Sequence, residues 1–443
     1  MTVPLRLDKL VNGQVTYGEI FLMKKLYLGL ISVLVLIFGA FMFIRQIQVK
    51  KTAPAKPSAN SIKLVAAKKA ADQYDYERAL TLLKGQSSKS ATTLRNSINS
   101  TKKELVTWNK PDQFRHLFFH SLIVDPQKAF KSKSARGYAD YMVTIPEFNK
   151  IIDQVYKNNY VLVGLQDIIQ TDKDGKKSTV SINNIKLPKG KKPLILSQDD
   201  VSYYKYMKGD GFAKDLFIDK NGEIKNHYVD GGKSQVGNYD LIPIIDQFVK
   251  KHPDFSYHGS KGTIALTGYN GVLGYRSSIS QSSKKDLPAT KTAIKKATTV
   301  ANAIKKDGWT FASHSWGHIN MKESPLSDIQ KDNTLWMKEV APIVGKTNIF
   351  IDPFGADVGG SEPYSESNAK YKYLSQQGFN IFCNVDASKP SWGQLGDKFY
   401  RNARINVDGI RFQSDLDGSD TVLRQFFNTK QVIDQKDRKL VHK

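Results

Sequence analysis

From His116 onward the chain alternates short apolar runs with longer amphipathic stretches. The runs fall at Leu117–Val124, Tyr160–Leu165, Leu194–Gln198, Thr263–Thr267, Thr310–Ser313, Asn348–Asp352 and Phe379–Val385. Each is short and ends abruptly at polar or breaker residues, as buried strands do. Between them, Pro146–Lys157, Leu241–Lys251, Lys291–Lys306, Leu326–Val344 and Asn368–Gln377 space their apolar residues as helices do. This alternation, repeated about seven times, predicts an α/β fold: a distorted (β/α) barrel of about seven parallel strands, with its chemistry at the strands' carboxyl ends. Residues 203–240 break the rhythm with abundant Gly, Asp and Lys and read as an inserted hairpin or lid. Residues 259–276 and 277–285 read as a second long loop on the same rim.

The first hundred residues follow other patterns. Leu26–Ile44 is a run of 19 residues without a charge, long enough for a bilayer-spanning helix. Lysines and an arginine flank it on both sides, so charge does not set its orientation. Residues 23–45 are therefore expected to be an uncleaved transmembrane signal anchor, with a single-pass cell-membrane localisation and the following domain extracytoplasmic. Met23-Lys24-Lys25 is itself a normal start for such a segment, which makes residues 1–22 a mis-started leader; peptides from them in the native protein would exclude this. Residues 46–61, rich in Lys, Pro, Ala and Ser, read as a linker. Residues 62–109 read as a small helical spacer. One tetratricopeptide-like hairpin is visible there, and a single repeat cannot bury its own face.

Composition narrows the partners. The 443 residues include 66 Lys and Arg against 42 Asp and Glu, a net charge of +24. No zinc finger, RNA-binding signature or compact basic helix accompanies that charge, so nucleic acid is not the expected partner. Scattered lysines fit an anionic surface, either a membrane or a cell wall. Cys383 is the only cysteine, which excludes an intrachain disulfide and a cysteine-built metal site.

Candidate chemistry gathers where the predicted strands end. Leu194–Gln198 runs into Asp199-Asp200, and adjacent residues on a strand point to opposite faces. Two carboxylates at the end of a buried strand are costly to desolvate unless paired, hydrogen-bonded or metal-bound. Thr310–Ser313 runs into His314-Ser315-Trp316-Gly317-His318, whose histidines share a face if the segment turns helically. Asp200, His314 and His318 would make three ligands and leave a fourth position open, as catalytic sites do. Such a set suits Zn²⁺ and also accepts Co²⁺, Ni²⁺ or Mn²⁺. Asn348–Asp352 runs into Pro353-Phe354-Gly355, and His120 lies within the first run.

Asp199-Asp200, His314 with His318, and Pro353-Phe354-Gly355 resemble the first three motifs of the polysaccharide deacetylase family (the NodB-homology, carbohydrate esterase 4 group). The resemblance spans roughly residues 115–415, within a catalytic domain expected at 110–443, and Phe118-Phe119-His120-Ser121 is similar to a strand that opens many secreted members. It implies that Asp199 is the catalytic base and that Asp200, His314 and His318 bind the metal. It further implies that a backbone N–H at Phe354 holds the oxyanion and that Trp392 walls the acetyl pocket. Two positions depart from the family: Ile351 stands where an Arg orients the base, and no His occupies the late motif that supplies the acid. Arg401 or Arg404 is expected to replace the first, and His120, ahead of His258, the second. The implied activity is N-deacetylation of cell-wall or surface polysaccharide, with peptidoglycan foremost. An O-acetyl esterase with the same machinery, or a barrel that binds wall glycan without hydrolysing it, are the alternatives.

Overall fold

The computed structural model describes residues 58–174 and 177–438. Seven parallel strands close into a barrel: β1 (Arg115–Phe119), β2 (Lys192–Asp199), β3 (Gly262–Leu266), β4 (Trp309–Ser313), β5 (Ile349–Ile351), β6 (Ile381–Val385) and β7 (Phe399–Asn406). Each pairs with the next along the chain, and β7 returns to β1 through Ile405 opposite Leu117. The closure leaves none of these seven with an open edge.

One expected strand changed role, and one barrel strand was not expected. Tyr160–Leu162 is a short strand that pairs only with the start of β2, outside the closed ring. The seventh barrel strand is instead β7, which the sequence pattern missed because it reads Phe-Tyr-Arg-Asn-Ala-Arg-Ile-Asn. A short return strand, Gly393–Gly396, runs antiparallel to β7. The insertion is a three-stranded antiparallel sheet of Asp215–Ile218, Ile224–Asp230 and Lys233–Gly237.

Apolar packing surrounds the barrel on two sides. The strands' outer faces meet α1 (Ile145–Lys157), α2 (Leu241–Lys251) and α3 (Leu287–Lys306) through residues such as Phe148, Ile245 and Ile304. The interior is filled by Ile195, Ala265, Ala312, Ile351 and Tyr400, in one cluster with Ala67, Leu83, Ala91 and Ile98. Those last four lie on helices Ala59–Asp72, Tyr76–Leu83 and Lys89–Lys102, and the chain from Ile62 onward is one compact unit. Tyr74 donates to the Asp254 carbonyl at 2.6 Å and Gln73 accepts from the His258 N–H at 2.8 Å, both ahead of β3. The helical segment thus closes the barrel's amino-terminal mouth and leaves the carboxyl-terminal rim open.

The expected transmembrane helix and the single-pass membrane localisation built on it are corrected. No helix among the described residues is long and apolar enough to cross a membrane. The longest of them, α3, has 20 residues but carries lysines at 291, 295, 296, 305 and 306. The run Leu26–Ile44, the leader and residues 46–57 of the linker lie outside the described residues.

Candidate metal centre

The site stands on strand alternation. Along β2, Ile195, Ser197 and Asp199 share the inward face; along β7, Tyr400, Asn402 and Arg404 do. His116 of β1 lies between them, with Nδ1 2.8 Å from Asn402 Oδ1 and Nε2 2.8 Å from Ser197 Oγ. An amide oxygen only accepts, so Nδ1 donates and Nε2 accepts the serine hydroxyl. Burial and the Arg404 charge push the His116 pKa down to about 3, so it stays neutral.

One step up the strands lie Asp199 and Arg404. The Arg404 Nη1 donates to both Asp199 oxygens, at 2.7 and 2.8 Å, with both residues at most 2% exposed. Burial alone would raise the Asp199 pKa. The guanidinium charge, the nearby His314 and the hydrogen bonds outweigh it and hold the value down at about 2. The guanidinium also lies 4.1 Å from the Phe118 ring centre. Arg401 has the opposite parity and reaches none of this. It donates to Asp357 at 2.8 Å and lies between Tyr364 and Trp392, 4.2 and 5.2 Å from their ring centres. Trp392 is therefore placed with Arg401.

Asp200, His314 and His318 come together, their ligand atoms all within 4.8 Å of one another. Asp200 Oδ2 lies 3.7 Å from His318 Nε2, and Asp199 Oδ2 lies 3.8 Å from His314 Nε2. His314 Nδ1 donates to the Ile351 carbonyl at 2.8 Å, which fixes the tautomer and leaves Nε2 toward the centre. Burial, with the neighbouring His318 and Arg404 assisting and the two Asp charges opposing, takes the His314 pKa down to about 4. The imidazole is therefore neutral, as a ligand must be. The donor set, two imidazole nitrogens and a carboxylate, fits a divalent ion.

The histidines meet by a different route from the one expected. Residues 314–318 form no helix, and Ser315 (φ 53°) and His318 (φ 54°) adopt left-handed backbone. The loop is held by Asp332, which accepts from the Trp316 and Gly317 N–H groups at 2.7 and 2.6 Å. Asp200 is also left-handed, at φ 61°. That turn carries its side chain out of the strand alternation and toward the histidines.

Phe354 lies in a 3-10 turn, Pro353–Gly355, with φ 59° and ψ 7°. Its ring packs edge-on to His318 at 4.4 Å. The first N–H groups of such a turn lack partners inside it. His120 continues the inward face of β1, and its Nδ1 donates to the Tyr141 carbonyl at 2.9 Å. His258 lies at the opposite mouth, stacked on Tyr257.

Sequence reasoning missed two neighbours. Tyr204 donates to Asp200 Oδ1 at 2.6 Å and lies 2.7 Å from Thr267 Oγ1. Being in the insertion, it belongs to no motif, and only its place four residues after Asp200 hinted at it. Asp352 is fully buried, with neither oxygen hydrogen-bonded. Burial and the Asp357 charge raise its pKa well above the usual carboxylate range.

No family model matches the chain, and no curated protein matches it. Among solved structures it is similar to the Streptococcus pyogenes deacetylase PplD in complex with acetate, with a TM-score of 0.35 and 10% identity over 68% of this chain and 94% of that one. It is also similar to a mutant of BA3943, a CE4 family pseudoenzyme with restored enzymatic activity. There the TM-score is 0.22 and the identity 13%, over 48% of this chain and 86% of that one. Superpositions this loose carry no argument about chemistry, which must come from the residues themselves.

Proposed function

We propose that this protein is a metal-dependent deacetylase that removes N-acetyl groups from a surface polysaccharide, with peptidoglycan the favoured substrate. One observation carries the reading: a buried carboxylate, Asp199, is kept ionised by Arg404 directly beside three convergent metal ligands. A site that only held a metal would have no use for a second, separately stabilised charge.

Asp200, His314 and His318 hold the ion, Zn²⁺ being the best fit to this donor set. When bound, such an ion supplies Lewis acidity toward a carbonyl oxygen and makes water more acidic. Asp199 accepts a proton at its carboxylate, and Arg404 fixes the orientation in which it does so. The Phe354 N–H, presented by the left-handed turn, donates to the oxygen on which negative charge develops. His120 delivers a proton to the leaving nitrogen through Nε2, since the Tyr141 carbonyl already engages Nδ1. The net charge of +24 suits a polyanionic wall.

The binding-only alternative drew support from the missing Arg at Ile351 and the missing late His. Arg404 reaches the same carboxylate from another strand, which answers the first of these. The test is bound-metal analysis together with acetate release from chitin oligosaccharides and peptidoglycan. Asp199→Asn should keep its metal and lose at least ~10²-fold in kcat. Release unaffected by that change, or none at all from metal-loaded protein, would overturn the proposal.

A further inference from the structure

A cavity of about 650 Å³ opens between the rim loops and α3. Its α3 wall is one helical stripe, Ala289, Thr292, Ala293 and Lys296, at spacings i, i+3, i+4 and i+7. Small side chains leave the space open, and a lysine stands at the end. The opposite wall comes from the loops that carry the site. Lys205 follows Tyr204, the residue bonded to Asp200, and Asn270 follows the segment of Thr267, which contacts the same tyrosine. Arg276 ties those two loops together by donating to the carbonyls of Asn270, at 2.6 Å, and Tyr203.

The charges in this cavity are unequally spent. Four cations, Lys205, Lys214, Arg276 and Lys296, line it against two carboxylates: Asp215, contacted by His227 at 2.6 Å and by Lys214 at 3.7 Å, and Asp286, whose partner at 2.7 Å, the Ser283 hydroxyl, is neutral and cancels no charge. The Arg276 guanidinium is hydrogen-bonded to neutral carbonyls, with the Asp215 charge as its nearest compensation. Among the described residues, neither Lys205 nor Lys296 has a carboxylate within 4.0 Å. The cavity therefore presents uncompensated ammonium groups on both walls with hydroxyls between them. Lysines acting as point charges suit the spread negative charge of a phosphate, and hydroxyl and amide groups suit sugar.

On either side of Lys205 in the chain, and just ahead of Asn270, Tyr206, Tyr204 and Tyr269 form a ring stack with Tyr204 in the middle, its centre 5.6 and 4.8 Å from the other two. Tyr206 is 58% exposed at its outer end. An exposed aromatic face next to a cationic polar cavity is a surface on which a sugar ring packs while its anionic substituent is held in the cavity.

We infer that this cavity is a second glycan subsite, which holds a phosphate-bearing segment of the polysaccharide while an N-acetyl group further along the same chain occupies the metal centre. The inference rests on the deacetylase reading, and the experiment separates the two. Binding of three N-acetylglucosamine oligomers of equal length, one neutral, one carrying a phosphate and one a carboxylate, is measured by calorimetry on the full chain after removal of metal by chelation. Acetate release from the same oligomers is measured on the metal-loaded protein.

The phosphorylated oligomer should bind at least ~10-fold more tightly than the neutral one, with an affinity that falls as salt rises. Lys205→Ala combined with Lys296→Ala should erase that advantage and leave turnover of the neutral oligomer unchanged. Tyr206→Ala should weaken binding of all three. Equal binding of the neutral and phosphorylated oligomers overturns the subsite, and equal binding of the carboxylated one overturns its assignment to phosphate. Preferential binding without acetate release from any oligomer leaves the subsite standing and sinks the deacetylase reading.

Discussion

Arg404 and Asp199 set the chemistry at the scale of single residues. The pair is fully buried, and the Arg404 charge, helped by His314 and by the two hydrogen bonds from the guanidinium, holds the carboxylate down at about 2. Removing one partner of such a pair leaves an uncompensated charge, which costs about 3–5 kcal/mol. In Arg404→Gln the burial stays and the opposing charge goes, so the Asp199 pKa moves upward, past the usual carboxylate value. The folded carboxylate of the wild type lies below its unfolded value; the stability it contributes is present above the ordinary pKa and is lost as pH falls through about 2. The variant should lose that contribution throughout. Its kcat/KM profile should gain an acidic limb at higher pH than the wild type, with a fall in kcat of at least ~10-fold at neutral pH. Arg401→Gln should move neither limb, because its guanidinium is bound to Asp357. Two arginines three positions apart lie on opposite faces of a strand. The sequence showed both and could not choose between them until the register of β7 was known.

At the scale of elements, legibility followed how apolar a strand is. β2, β3, β4, β5 and β6 carry apolar runs, and each was visible in the sequence within a few residues of its bounds. β7 was not, because its inward face is Tyr400, Asn402 and Arg404, where polar groups that bond His116 and Asp199 stand in place of the apolar run that marks a buried strand. The histidine loop shows the reverse case. Its spacing pointed to two ligands on one helical turn, and the ligands do converge, but through left-handed residues braced by Asp332. Gly268 packs against the same loop so closely that a Cβ there would lie 2.0 Å from the Trp316 ring. The loop is thus held from two sides. Asp332→Ala would leave the Trp316 and Gly317 N–H groups without partners at a cost of about 1–3 kcal/mol each. Metal affinity should fall ~10–100-fold, the range expected when a ligand loses its supporting contacts. Competition against a chromophoric chelator measures it; an unchanged affinity would show that the histidines hold their positions without this brace.

At the scale of the whole molecule, the polar layer inside the barrel makes stability depend on pH with a definite sign. His116 and His314 have folded pKa values of about 3 and about 4, below the ordinary value of about 6.5. As pH falls below about 6.5 the unfolded chain takes up protons at these positions and the folded chain does not, so both act to lower stability on acidification. Asp352 and Asp240 act in the opposite sense, since burial raises their folded pKa values and the folded chain binds those protons first. The net slope therefore mixes signs, and the informative quantity is a difference between two proteins. His116→Gln keeps a polar group between Asn402 and Ser197 but removes one titrating ring. Between pH 4 and 5.5, the unfolding free energy of metal-free wild type should fall more steeply than that of the variant, by about 1.4 kcal/mol per pH unit, the slope of one proton. Denaturant titrations across that range measure both slopes. Parallel slopes would mean that His116 takes up its proton in the folded barrel, and that the layer beneath Asp199 is more open to water than its burial implies.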